Sequence, residues 1–159
     1  MKLVLQDIHD ANHPADATQL IAFSIGDQHY AVRITEVREI RAWSGATPLP
    51  NTRPEVRGVI NLRGTIVPIY DLRARFGGGL TEPTPTHVVV VMVHGEKLVG
   101  LLVDAVSDIV SVAPVGIQPV PGASDAAERL LEGIVTHQSA MVGLVDLAAV
   151  VSPPASVAA

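Results

Sequence analysis

A chain of 159 residues, 48% hydrophobic and 17% charged, is long enough for one domain or two very small subdomains and can bury a sizeable core. Its net charge of −5 argues against nucleic acid or anionic lipid as a partner, and the absence of cysteine excludes disulfides, thiolate metal sites and cysteine catalysis. No run reaches the ~18 uncharged apolar residues of a membrane span, and the first apolar stretch is too short for a signal peptide, so the expectation is a cytoplasmic protein without membrane insertion.

Residues 1–17 are polar, lack periodicity and are expected to form a loose tail. The fold is expected to start with a strand in which Ile21, Phe23 and Ile25 alternate with small or polar residues; Gly26 and Asp27 supply the turn, and Tyr30 and Val32 continue on a second strand. In "RITEVREIRAW" a single helical turn should lead into a short strand. Three prolines make "TPLPNTRP" an irregular connector.

The segment "GVINLRGTIVPIYDLR" reads as a hairpin turning at Arg63-Gly64. That register places Gly58, Ile60, Leu62, Thr65, Val67 and Ile69 on one apolar face, and a one-residue slip would mix the two faces. Gly64 can take the positive φ of a tight turn, whereas Pro68, lacking an N–H, points to an edge strand or a bulge. A brief helical turn, "DLRARF", ends in glycines, and "GGGLTEPTPT" reads as a flexible tip. The apolar arms "HVVVVMV" and "KLVGLLVDAV" form another hairpin. "SDAAERLLEG" is the best helix candidate, with Ser124 as its cap and Gly133 as its stop. "IVTHQSAMVGLVDL" makes a last hairpin, and "AAVVSPPASVAA" should fray. Seven to ten short strands with few helices imply an all-β fold of one or two small barrels. No internal repeat is visible at the level of motifs.

Chemistry is sparse. The six histidines are scattered, and the pair His9 and His13 lies in the tail beside a proline, so no metal site is expected. The glycine run lacks the lysine of a phosphate loop, and no serine sits in a nucleophile elbow. Asp71, Asp104 and Asp146 each end a strand-like run, a position that suits strand-end or helix-cap roles better than an acidic cluster. Without converging polar groups, neither an enzyme nor a cofactor is expected. Arg63 leaves two readings open: a solvated turn arginine, or one partner in an ion pair with Glu36, Glu39 or Asp71 that shapes a recognition surface.

Together, "FSIGDQHYAVRITEVREI", "VRGVINLRGTIVPIYDLRARFG", "LVGLLVDAVSDIVSV" and "MVGLVDL" closely resemble the CheW family of chemotaxis adaptors, from about Leu20 to Val151. The resemblance implies an all-β fold with short helices, in which two intertwined five-stranded SH3-like barrels span residues 18–151, with 152–159 as a frayed end. It implies a non-enzymatic adaptor that couples the cytoplasmic tip of methyl-accepting chemoreceptors to the regulatory domain of the histidine kinase CheA, recruited to membrane-associated receptor arrays. Carried over by position, the receptor-facing candidates are Val37, Glu39, Gly58, Asn61, Arg63, Gly64, Gly100 and Ile109, with Arg63 and Glu39 as a structural ion pair. No residue is assigned to the kinase-facing surface. The alternatives are a paralogue serving another array, for surface motility or second-messenger control, and a small-ligand-binding barrel whose apolar seam takes a metabolite.

Overall fold

The computed structural model describes residues 17–113, 116–120 and 128–152; nearly all of the expected tail, the proposed cap Ser124 and the expected frayed end after residue 152 lie outside these residues. The strands are β1 (Thr18–Ile25), β2 (Gln28–Arg33), β3 (Val37–Ala42), β4 (Val56–Leu62), β5 (Thr65–Asp71), β6 (Val88–His94), β7 (Lys97–Val103), β8 (Ala105–Val112), β9 (Leu131–His137) and β10 (Ala140–Val145). They form two five-stranded sheets, ordered β3-β6-β7-β5-β4 and β8-β1-β2-β10-β9. Isolated bridges, Thr47 to Val59 and Gln118 to Ile134, curl each sheet toward a barrel by joining the connector after its first strand to its last. The barrels are intertwined because the second takes its β1–β2 hairpin from the N-terminus and β8 to β10 from the C-terminal half.

The two barrels repeat one plan strand for strand, although the motifs show no repeat. Along one row of the first, Glu39, Val91, Gly100, Ile69 and Gly58 are successive cross-strand partners. The same row of the second runs Asp108, Ala22, Ala31, Leu144 and Gly133. Each row ends in a glycine, and each has a register shift beside both its first and its last strand. The hairpin β9–β10 therefore reproduces β4–β5 75 residues later. Both hairpins run into an aspartate whose carboxylate caps a one-turn helix: Asp71 accepts from Ala74 N before Leu72–Arg75, and Asp146 accepts from Ala149 N before Leu147–Val151.

Three cores hold the plan together. Leu62, Val67, Ile69, Val89, Val91 and Leu102 fill the first barrel. Leu20, Ala22, Ala31, Val110, Val135, Val142 and Leu144 fill the second. The seam between them is built from Ile21, Phe23, Val32, Val37, Ile40, Val90, Met92 and Leu101, among others. Strands β1 and β6 thus bury both faces, one in a barrel and one in the seam, and this is why β6 is a continuous valine run rather than an alternating pattern. Polar ties cross the seam too. Arg75 donates to the carbonyls of Ala149, Val150 and Ser152, and Tyr30 stacks on Phe76 with ring centroids 4.5 Å apart.

Four expectations need correction. Strand β5 is not an edge, since it lies between β4 and β7. Pro68 is tolerated there because pairing with β7 begins one residue later, at Ile69, and the bulge falls in the partner strand around Arg57. Gly133 does not stop a helix. Among the described residues Glu128–Leu130 is a 3-10 turn and Gly133 sits inside β9, where a Cβ would come within 2.7 Å of Ile117 and 2.9 Å of the Gln118 carbonyl. Leu147–Val151 does not fray, because Leu147 and Val150 are buried in the seam. Within the glycine- and proline-rich tip, Thr81 is buried and bonds Asp71 through both its backbone N–H and its hydroxyl, each at 2.7 Å.

Candidate functional site

Strands β3 and β8 are the outer strands of the two sheets, and Ile40 of β3, with Val88 of β6, faces β8 across the seam. Between them runs a groove of about 390 Å³ lined by Ile40, Val88, Ala105, Val106, Ser107, Asp108 and Ile109. Its walls are mostly apolar because both strands turn residues toward the seam: Ile40 belongs to the seam core, and Val88, Val106 and Ile109 pack against it. A second depression of about 640 Å³ surrounds Ile66, with Tyr70, His94 and Lys97 on its rim, and is lined mainly by the first barrel with Val151 of the C-terminal helix at its edge.

The β4–β5 tip stands beside the groove's β3 wall. Arg63 and Gly64 turn with φ of 50° and 90°, and Asn61 Oδ1 accepts the Gly64 N–H at 2.7 Å, which locks the turn. Arg63 Nη2 bonds Glu39 Oε2, and Arg41 lies 3.7 Å from the other Glu39 oxygen. Glu39 is buried while the Arg63 side chain is 65% exposed, so the pair presents a guanidinium to solvent above a sequestered carboxylate. Of the three acids open to Arg63 by sequence, Glu39 is the one it meets. Asp71 is held by Thr81, Ala74 and, at 3.7 Å, Arg57. Glu36 faces Glu132 and Arg33, and burial, reinforced by Glu132, raises its carboxyl above the usual range.

The carried-over residues do not form one surface. Glu39, Asn61, Arg63 and Gly64 gather at the tip, and Ile109 lines the groove from β8. Val37 is buried at the start of β3. Gly58, with φ of 137°, lies where a Cβ would fall 2.3 Å from the Thr47 carbonyl. Gly100 is buried in β7, where a Cβ would meet Ile69 at 2.5 Å and Val89 at 2.9 Å. These three positions can influence a partner only through packing.

Of the two roles open to it by sequence, Asp104 takes the strand-end one, directly after β7. Burial pushes its carboxyl up, but the Gly26 N–H at 2.7 Å and the Arg73 guanidinium at 2.8 Å outweigh burial and hold it below the usual carboxylate range. The sequence reading missed Asp108 and His137. His137 Nε2 lies 3.1 Å from Asp108 Oδ2, joining β9 to β8. Among the described residues no group of three or more His, Asp or Glu is placed to hold a metal ion.

An apolar groove between two barrels, bordered by a rigid arginine tip, is the kind of surface a protein-binding scaffold presents. The comparisons agree. The model of the CheW-like domain family matches residues 19–154. The chain is 48% identical over 130 residues to the chemotaxis protein CheW of Rhizobium meliloti, covering 81% of this chain and 84% of the relative. It is likewise 48% identical over 142 residues to a probable chemotaxis protein CheW of Rhizobium etli, covering 89% and 92%. The crystal structure of the scaffolding protein TtCheW from Thermoanaerobacter tengcongensis superposes with a TM-score of 0.77 at 28% identity, over 87% of this chain and 90% of that one. The chain belongs to the CheW-like family and is a non-enzymatic adaptor of chemotaxis signalling. No helix among the described residues is long and apolar enough to cross a membrane.

Proposed function

We propose that this adaptor couples methyl-accepting chemoreceptors to the histidine kinase CheA by seating the receptor's cytoplasmic hairpin tip in the groove between β3 and β8, with the kinase's regulatory domain on a separate face. The observation that carries the reading is the groove itself. It offers Ile40, Val88, Val106 and Ile109 to an amphipathic helix, with the Arg63 guanidinium at its border for a polar flank. Val37, Glu39, Gly58, Asn61, Arg63, Gly64, Gly100 and Ile109 act together in this reading: Arg63 and Ile109 meet the receptor, Asn61 and Gly64 set the tip, and Val37, Glu39, Gly58 and Gly100 hold the wall behind them. Recruitment to membrane-associated arrays follows from receptor binding rather than from a lipid contact.

The test is reconstitution. Purified protein added to receptor and kinase should raise kinase autophosphorylation in proportion to adaptor until the complex saturates, with no phosphotransfer by the adaptor alone. Receptor-dependent kinase activity that stays unchanged on addition overturns the reading.

A further inference from the structure

The repeated plan of the two barrels equates Glu39 with Asp108: each is the member contributed by the outer strand to the same cross-strand row, next to a register shift at Arg38 or Ser107. Each acid is met by a cation from the far outer strand of its own barrel. Arg63, one residue past the end of β4, reaches Glu39, and His137, the last residue of β9, reaches Asp108 at 3.1 Å. In both barrels the contact joins strands at opposite ends of the sheet order, so it clasps the barrel shut. The two clasped acids lie on the two strands that wall the groove, and Asp108 lines it directly.

We propose that His137 and Asp108 form a second clasp, the counterpart of Arg63 and Glu39, and that His137 is a positioning residue that holds the β8 wall of the groove for its partner. This rests on the receptor-groove reading above. The clasps differ in kind. Arginine is always charged, whereas histidine changes charge between about pH 5 and 8. The His137 hydrogen bond, then the Ile109 N–H, holds the Asp108 carboxyl below the usual range, so Asp108 stays ionised throughout that window. Across the hairpin from His137 stand Ala140 and Met141, which are uncharged, and Glu132, the acid of β9, pairs with Arg33 of β2. Asp108 is thus the acid that His137 meets, across the two ends of the sheet. The second clasp is partly exposed, with side chains 29% and 50% accessible, which limits it to a modest effect.

The experiment uses the full chain and its His137→Ala, His137→Arg and Arg63→Ala variants. Hydrogen exchange of the β8 amides is read first. His137→Ala should speed their exchange roughly two- to five-fold relative to the parent. His137→Arg, whose guanidinium can still donate to Asp108, should restore exchange to the parental level. Affinity for a receptor signalling hairpin, taken as the ratio of each variant to the parent, should follow the same pattern. Unchanged β8 exchange in His137→Ala overturns the clasp. Faster exchange with unaltered affinity overturns the positioning role, provided Arg63→Ala weakens binding. If Arg63→Ala also leaves binding intact, the groove reading fails and the positioning role falls with it.

Discussion

The tips of the two equivalent hairpins, Leu62 to Thr65 and His137 to Ala140, occupy the same place in their barrels yet are built from different chemistry. The first turns on Arg63 and Gly64, is locked by the Asn61 carboxamide and bonds a buried glutamate. The second turns on Gln138 and Ser139, with φ of 51° and 66°, so both turn residues are non-glycine in the left-handed region, and each position costs on the order of 1 kcal/mol. Thr136 stands where the first hairpin has Asn61, and the cation has moved back into the strand as His137. Folding makes the same demand at both places: a two-residue reversal that returns β10 or β5 to a parallel partner. The first tip meets more than that demand, with a glycine that leaves Arg63 as its one non-glycine residue in the left-handed region and an asparagine that removes play. Rigidity beyond what the fold needs belongs to a surface that something else reads.

The largest asymmetry expected between the barrels lies one step down the hairpins. Gly58 and Gly133 are equivalent, and both let a connector approach closely. At Gly58 a Cβ would strike backbone, the Thr47 carbonyl at 2.3 Å, and φ is 137°. At Gly133 the nearest atom is the Ile117 Cγ2, a side-chain methyl at 2.7 Å, the Gln118 carbonyl is further off at 2.9 Å, and φ is not in the left-handed region. Overpacking and backbone strain each cost on the order of 1–3 kcal/mol. Gly58→Ala should carry both and Gly133→Ala chiefly the first, so chemical denaturation should show the former losing about twice the stability of the latter. Equal losses would mean that the barrels treat their connectors alike.

The capping aspartates come next. Asp146 gives its helix one cap bond at 3.3 Å, so Asp146→Ala should cost about 1 kcal/mol. Asp71 makes the same cap bond and is wholly buried against the Thr81 N–H and hydroxyl, which Asp71→Ala would leave without a partner. Unsatisfied buried groups cost roughly 1–3 kcal/mol, so this variant should lose about 2–4 kcal/mol in the same assay. Thr81→Val should recover part of the deficit in the Asp71→Ala background, since it removes one orphaned hydroxyl. A double variant no more stable than Asp71→Ala would show that the hydroxyl is not what the carboxylate satisfies.

Much of this was legible before any coordinates. Hairpin registers followed from alternation and two-residue turns, as at Leu62 and Thr65, where a slip would have exposed Val67 and Ile69. The capping role of Asp71 and Asp146 followed from their place at strand ends. What failed had a common cause: it depended on which strand lies beside which. Pro68 signals an edge only if both neighbours run its full length, and β7 does not. Gly133 looks like a helix stop until the approach of Gln118 is known. The 147–151 segment looks like a frayed tail until Val150 is placed in the seam. For the site, the resemblance named Arg63 and Glu39, but two strands with no motif in common hid the matching Asp108 and His137.

The smallest effect tests the first clasp itself. Arg63 is mostly exposed, and an exposed ion pair is worth about 0–1 kcal/mol, so Arg63→Ala should still fold with nearly parental stability. Its partner is different in kind. Glu39 is buried, and removing Arg63 leaves it with Arg41 at 3.7 Å as its remaining cation. The carboxylate then has reason to turn toward Arg41 and drag β3 with it, which would move the groove wall that carries Ile40. Arg63→Ala is therefore expected to weaken receptor binding more than kinase binding. A double-mutant cycle with Glu39→Ala, read as receptor affinity, should show coupling above ~0.5 kcal/mol, the level expected of residues in contact. Repeating the cycle in an Arg41→Ala background sharpens it. If Arg41 is the fallback partner, the coupling between Arg63 and Glu39 should grow there, because nothing else compensates the buried charge. Additive effects in both backgrounds would return Arg63 to a solvated turn residue and leave the groove to be shaped by packing alone.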